Sequence, residues 1–170
     1  MKSLFFALAL ALCAAQVAQA GAIDKLHRFL ETTKTLRADF AQIVVAKNGK
    51  KPQQSTGVMM ISRPGKFRWQ IEKPYEQLLV GGNTLDKNFT LREAGEREGL
   101  EWLEAIPKGA DSGFEKLQLG FAGNDLKAME LFDTFGQTTS LLFARLERNP
   151  QLAPALFHFA PPAGVDVIGE

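Results

Sequence analysis

Thiol, imidazole and phenol chemistry are nearly missing from this chain, which has one Cys, two His and one Tyr among 170 residues. The single cysteine, Cys13, lies in an apolar N-terminal run, so the rest of the chain has nothing with which to build a disulfide, a thiolate metal site or a cysteine nucleophile. An excess of one charge is also missing: 20 Lys+Arg face 19 Asp+Glu, which argues against electrostatic nucleic-acid binding. After the N-terminal run, no stretch approaches the ~18 uncharged apolar residues of a membrane-spanning helix. Gly81-Gly82 and the Gly109–Gly113 segment lack the strand, lysine and helix context of a phosphate-binding loop. Ser55, Ser62, Ser112 and Ser140 lie outside any nucleophile elbow. His27 and His158 are isolated, leaving neither a base with its orienting partner nor a metal cluster. Glu93, Glu96 and Glu98, with Glu101 and Glu104, are interleaved with Arg and Gly and read as a solvated hairpin tip instead of an acid–base pair. The expectation is a protein that is not an enzyme, with no cofactor and no metal.

Phenylalanine is plentiful, at 13 residues beside two Trp. The chain begins with Lys2, an apolar run from Leu4 to Ala15, and Ala18-Gln19-Ala20, which has the small-x-small form that signal peptidase cleaves. Residues 1–20 are therefore expected to be a cleaved signal peptide and 21–170 a single domain. A weaker lipobox-like reading exists at Leu10-Ala11-Leu12-Cys13, where Leu12 occupies a position that wants a small residue. Export, a thiol-free mature chain and a small domain together suit a bacterial periplasm.

Ile23, Leu26, Phe29, Leu30 and Thr33 recur at helical spacing with Asp24 in the first turn, which predicts one amphipathic helix over 22–33. From Ala38 the period changes to two, and β-like runs follow at 57–62, 66–72, 77–80, 89–92, 100–106, 114–121, 126–133 and 138–146, separated by Gly, Pro, Asn and Asp turn signals. Strands this closely spaced must be largely antiparallel hairpins, because parallel crossovers need a dozen or more residues. The clearest is Lys66–Glu72, with Phe67, Trp69 and Ile71 on one face and Lys66, Arg68, Gln70 and Glu72 on the other. One long helical pattern is too little to cover so much sheet, so the apolar face either receives a ligand or curls over itself. The basic tract Lys47, Lys50 and Lys51 reads as an exposed hairpin loop.

At Ser62-Arg63-Pro64-Gly65-Lys66-Phe67-Arg68-Trp69, followed by Lys73-Pro74-Tyr75 and Leu79-Val80-Gly81, the sequence resembles the LolA family, periplasmic carriers of outer-membrane lipoproteins. Asp39-Phe40-Ala41-Gln42 is similar to that family's first strand, and the Phe157 to Val167 segment, with its Pro161-Pro162-Ala163-Gly164-Val165, to its tail. The resemblance implies a mainly β (α+β) fold: a curved antiparallel sheet forming an incomplete β-barrel, covered by the N-terminal helix and a helical lid. It further implies binding of lipoprotein acyl chains by Phe40, Phe67, Trp69, Ile71, Leu119, Phe121 and Phe143, with Arg63 as a latch on the lid. The partners it implies are acylated lipoproteins, the inner-membrane lipoprotein-releasing ABC transporter and the outer-membrane acceptor LolB, and the chain is expected to act as a monomer. A LolB-like acceptor or a periplasmic lipoprotein-sensing protein of similar fold is the alternative.

One departure stands out. Asn83-Thr84-Leu85-Asp86-Lys87-Asn88 runs straight into Phe89-Thr90-Leu91, where the family has further strand and an apolar lid helix. A few tens of residues are expected to be missing between about Leu85 and Phe89, which would leave a reduced lid made of the N-terminal helix and short C-terminal turns.

Overall fold

The computed structural model describes residues 21–47, 49–74, 89–109 and 113–158, and the backbone of 77–81. The leader, the junction residues 85–88 and the tail from 159 lie outside the described residues. Helix α1 (Ala22–Thr32) is followed by β1 (Thr35–Val45), β2 (Gln53–Ser62), β3 (Lys66–Lys73) and β4 (Gln77–Gly81). Then come β5 (Phe89–Arg97), β6 (Leu100–Pro107), β7 (Phe114–Ala122), β8 (Asp125–Asp133), β9 (Thr138–Arg148) and a single 3-10 turn at Pro154–Phe157.

The nine strands form one sheet in the order β4-β3-β2-β1-β9-β8-β7-β6-β5. Every pairing is antiparallel. The described strands thus make two meanders, β1–β4 and β5–β9, which among the described residues pair only where β1 meets β9. The sheet's two edges are β4 and β5, consecutive in sequence.

Helix α1 shows how strongly the sheet curves. Its first turn holds Asp24, which suits the positive end of the helix dipole. Thr33 ends it in an extended conformation, its N–H donating to the Phe29 carbonyl at 3.0 Å. The Glu93 carboxylate on edge strand β5 accepts from the N–H groups of Ala22 and Ile23, both at 3.0 Å. Eight residues on, the Leu30 carbonyl accepts from Nη1 of Arg63 in the β2–β3 turn at 2.7 Å. In a flat sheet β5 and that turn would be about 30 Å apart at ~4.8 Å per strand, whereas eight helical residues span only about 12 Å. The sheet must therefore wrap round until its halves face each other across α1. The result is an open barrel with Phe67, Trp69 and Ile71 packed on its inner face.

The interior is graded along its axis. On β1, Leu36, Ala38 and Phe40 are buried beneath α1, while Gln42 and Val44 farther along the same face are half-buried. Phe121, Leu36 and Leu103 are the largest side chains less than 2% exposed. The outer face has a smaller packed site. Trp102 is buried there against Gly120, with the Arg97 guanidinium carbon 4.3 Å from its ring centroid and its Nε1 donating to the Arg97 carbonyl at 3.1 Å. The C-terminal 3-10 turn also lies outside, where Arg68 Nη1 donates to the Leu156 carbonyl at 2.9 Å. It therefore covers the face of β3 opposite Phe67, Trp69 and Ile71. Among the described residues, cover over the apolar face comes from α1.

Candidate functional site: an apolar interior under a tethered helix

All seven apolar residues singled out from the sequence meet in one cluster. Phe40, Leu119, Phe121 and Phe143 are buried members of it, and Phe67, Trp69 and Ile71 are partly buried and packed against it. Phe40 and Trp69 stack with centroids 3.9 Å apart and planes 21° apart, and Phe67 continues the stack at 6.2 Å and 25°. Position 57 permits this. Gly57 sits between Phe40 on β1 and Ile71 on β3, and a Cβ there would overlap the Gln70 carbonyl and approach Phe40 Cζ to 2.7 Å. Phe143 is the cross-strand partner of Phe40. Leu119 lies between Leu103 and Met129 on its neighbouring strands. Phe121 meets the edge of Phe29 of α1 at 6.2 Å and 72°.

Sequence reasoning missed part of the cluster. Leu36, Met59 and Leu103 are buried members alongside Phe29; Met59 and Leu103 carried the period-two signal of their strands, and Leu36 precedes the predicted start of β1. Glu93 is the larger surprise. Expected on a solvated hairpin tip, it lies within β5 and receives the first N–H groups of α1, because the β5–β6 turn comes later, at Glu98-Gly99. Glu101, from the same acidic stretch, forms an ion pair with Lys25, a buried residue of α1.

Arg63 is positioned by the turn between β2 and β3, where Gly65 adopts φ +66°. Its partner is a carbonyl of α1. The polar attachments of the helix are thus distributed, with Glu93 and Glu101 on the β5–β6 side and Arg63 on the β2–β3 side. Between them the contact surface is apolar: Ala22 and Phe29 are buried, and Ile23, Leu26 and Leu30 pack on the cluster.

A family profile described as outer membrane lipoprotein carrier protein LolA matches residues 31–84 and 79–160. The chain belongs to the LolA family. An outer-membrane lipoprotein carrier protein of Dechloromonas aromatica is 50% identical over 188 aligned positions, covering 91% of this chain and 90% of the relative. A LolA relative of the same description from Nitrosomonas europaea is 37% identical over 206 positions, covering all of both chains. Among solved structures, a LolA superfamily protein from Nitrosomonas europaea aligns with TM-score 0.49 and 9% identity, over 83% of this chain and 99% of that one.

The alignments also expose the internal shortening. The 206 positions shared with the Nitrosomonas relative take in all 170 residues here, which leaves 36 positions where this chain has no residue. The LolA profile matches in two pieces that meet at 79–84. That break falls at the end of β4, so it coincides with the opening between the sheet's two edges.

Proposed function

We propose that this protein is a periplasmic carrier that takes up the acyl chains of lipoproteins released from the inner membrane and delivers them to an outer-membrane acceptor. The observation that carries the proposal is one continuous apolar interior, lined by Phe40, Trp69, Phe121 and Phe143 and closed by a helix with polar attachments near its two ends. Acyl chains are weakly directional ligands, and each buried CH₂ supplies ~0.8 kcal/mol, so such a wall suits many lipoproteins without a specific polar pocket. Among the described residues α1 covers the interior and packs on its side chains, so in this reading cargo enters by displacing α1. That displacement costs a few hydrogen bonds of about 1 kcal/mol each and the packing of Phe29, Leu26 and Leu30. Acyl burial offsets the loss. No covalent bond is made or broken, and the uptake calls on no catalytic group.

In this reading Phe67, at the start of β3 just after the turn, is the rim aromatic that meets incoming cargo, and Arg63 is the latch whose bond to α1 is released on loading. The donor is an inner-membrane lipoprotein-releasing ABC transporter and the acceptor is LolB. The test is co-purification with a tagged lipoprotein in the presence of the release complex, followed by mass spectrometry of the bound species. Acylated cargo is expected in equimolar complex. Recovery of the protein without acyl-bearing cargo overturns the proposal.

A further inference from the structure

The end of the barrel away from α1 carries a feature unrelated to the interior. Phe135, in the turn between β8 and β9, is 87% exposed, more than any other large apolar side chain described. The fold holds it there. Asp133 Oδ1 accepts from the N–H groups of Phe135 at 2.9 Å and Gln137 at 2.8 Å. The Asp133 carbonyl accepts from Gly136 N at 3.2 Å, and the Gln137 carbonyl from Asp133 N at 3.0 Å. These bonds shape the turn without any help from the Phe135 ring, and two of them fall on Oδ1 of Asp133, the one acidic side chain of the turn.

The β1–β2 connection lies directly alongside. Val45 pairs with Thr138, and a Cβ on Gly136 would come within 2.9 Å of Lys47 Cδ. This connection presents Lys47, Lys50 and Lys51, all exposed. Val45, at 45% exposure, adds an exposed apolar side chain at the end of β1. An outward aromatic on a firm turn, flanked by three lysines, is the combination that inserts a ring among headgroups while cations pair with lipid phosphates.

We propose that this tip, Phe135 with Lys47, Lys50 and Lys51, docks the protein on the surface of a bilayer containing anionic phospholipid. Charge complementarity selects the occupant: a zwitterionic surface offers the lysines no net attraction, and an apolar protein groove would not use them. Docked in this way, the half-buried end of the interior around Gln42 and Val44 faces the lipid, while α1 faces away. The inference does not depend on the carrier reading.

The test is co-sedimentation of the purified protein with vesicles of phosphatidylglycerol and phosphatidylethanolamine, and separately of phosphatidylcholine. Reversible partition is expected on the anionic vesicles only, falling with added salt. Phe135→Ser is expected to weaken it severalfold, and K47Q/K50Q/K51Q at least tenfold, since each lysine near an anionic surface contributes about fivefold. Thermal unfolding and binding of a fluorescent lipopeptide should be unchanged in both variants, which separates this surface from the interior. Equal partition by variants and parent, equal partition on both vesicle types, or no partition at all overturns the proposal.

Discussion

Phe40 and Trp69 lie face to face at 3.9 Å across Gly57, a residue whose missing side chain leaves the space the Phe40 ring occupies. The stack joins β1 to β3 over the intervening β2. Gly57→Ala is expected to force the rings apart and strain the β2–β3 ladder at Gln70, costing about 1–3 kcal/mol as overpacking. Urea unfolding gives the loss of stability, and a weakened near-ultraviolet circular dichroism signal reports the loss of the stack. A Gly57→Ala protein with unchanged stability and spectrum would mean that the interior is looser than the contact implies.

Arg63→Ala removes the bond to the Leu30 carbonyl and loosens the C-terminal end of α1. A net hydrogen bond is worth about 1 kcal/mol, so the fold should survive with a modestly lower midpoint. The helix should open more often. Stronger fluorescence of an apolar dye than the parent, together with reduced transfer of bound lipoprotein to the acceptor, is the expected pair of results.

Phe67→Glu places a carboxylate at the start of β3, where it can stay hydrated because Phe67 is only partly buried. Folding should be kept and uptake of acylated cargo lost. Lipoprotein transfer at the parental rate would remove Phe67 from the path of the cargo, whereas loss of folding would make it a packing residue alone.

The outer face offers a titration that checks the ladder itself. Glu104 on β6 accepts from Lys116 Nζ at 2.9 Å and from Gln118 Nε2 at 3.1 Å, and these bonds hold its carboxyl below the usual glutamate range. A carboxylate lowered on folding contributes stability above the ordinary glutamate pKa, and that contribution is lost as pH falls through the lowered value. Lys116→Met retains an apolar stem near the Phe132 ring, over which Lys116 Nζ sits at 4.8 Å, and should move the Glu104 titration back up. Carboxyl NMR over the acid range measures it, and an unmoved midpoint would leave Gln118 as the dominant donor.

The strand pattern was legible because these faces alternate. Lys66–Glu72 was expected and β3 runs to Lys73, while the 22–33 helix ends at Thr32. Where polar residues pair, the pattern is silent. β1 begins at Thr35 instead of Ala38, and β2 begins at Gln53 instead of Gly57, because Gln53 and Gln54 bond to Val44 and Ile43 across the ladder. The apolar site was legible for the same reason as β3: Phe67, Trp69 and Ile71 are separated by two. Glu93 was not, because a carboxylate receiving a helix N-terminus some 70 residues away has no local signature. Trp102 was equally hidden, since its cover on the outer face comes from Arg97 of the preceding strand and from Gly120 of the next.

The pairing of β1 with β9 has a consequence for how the molecule is made. Phe40 meets Phe143 across a loop of about a hundred residues, and among the described residues the β1–β9 ladder is the only strand pairing between the two meanders. Each meander assembles from local hairpins, but their union waits for the last strand and bears the full entropy of closing that loop. A sheet of this connectivity matures late, on the millisecond-to-second scale of non-local β topologies. Until then the α1–β4 half has neither the β7 nor the β9 wall against which to bury Phe29 and Phe40, so the apolar interior is completed only when the C-terminal strand is available.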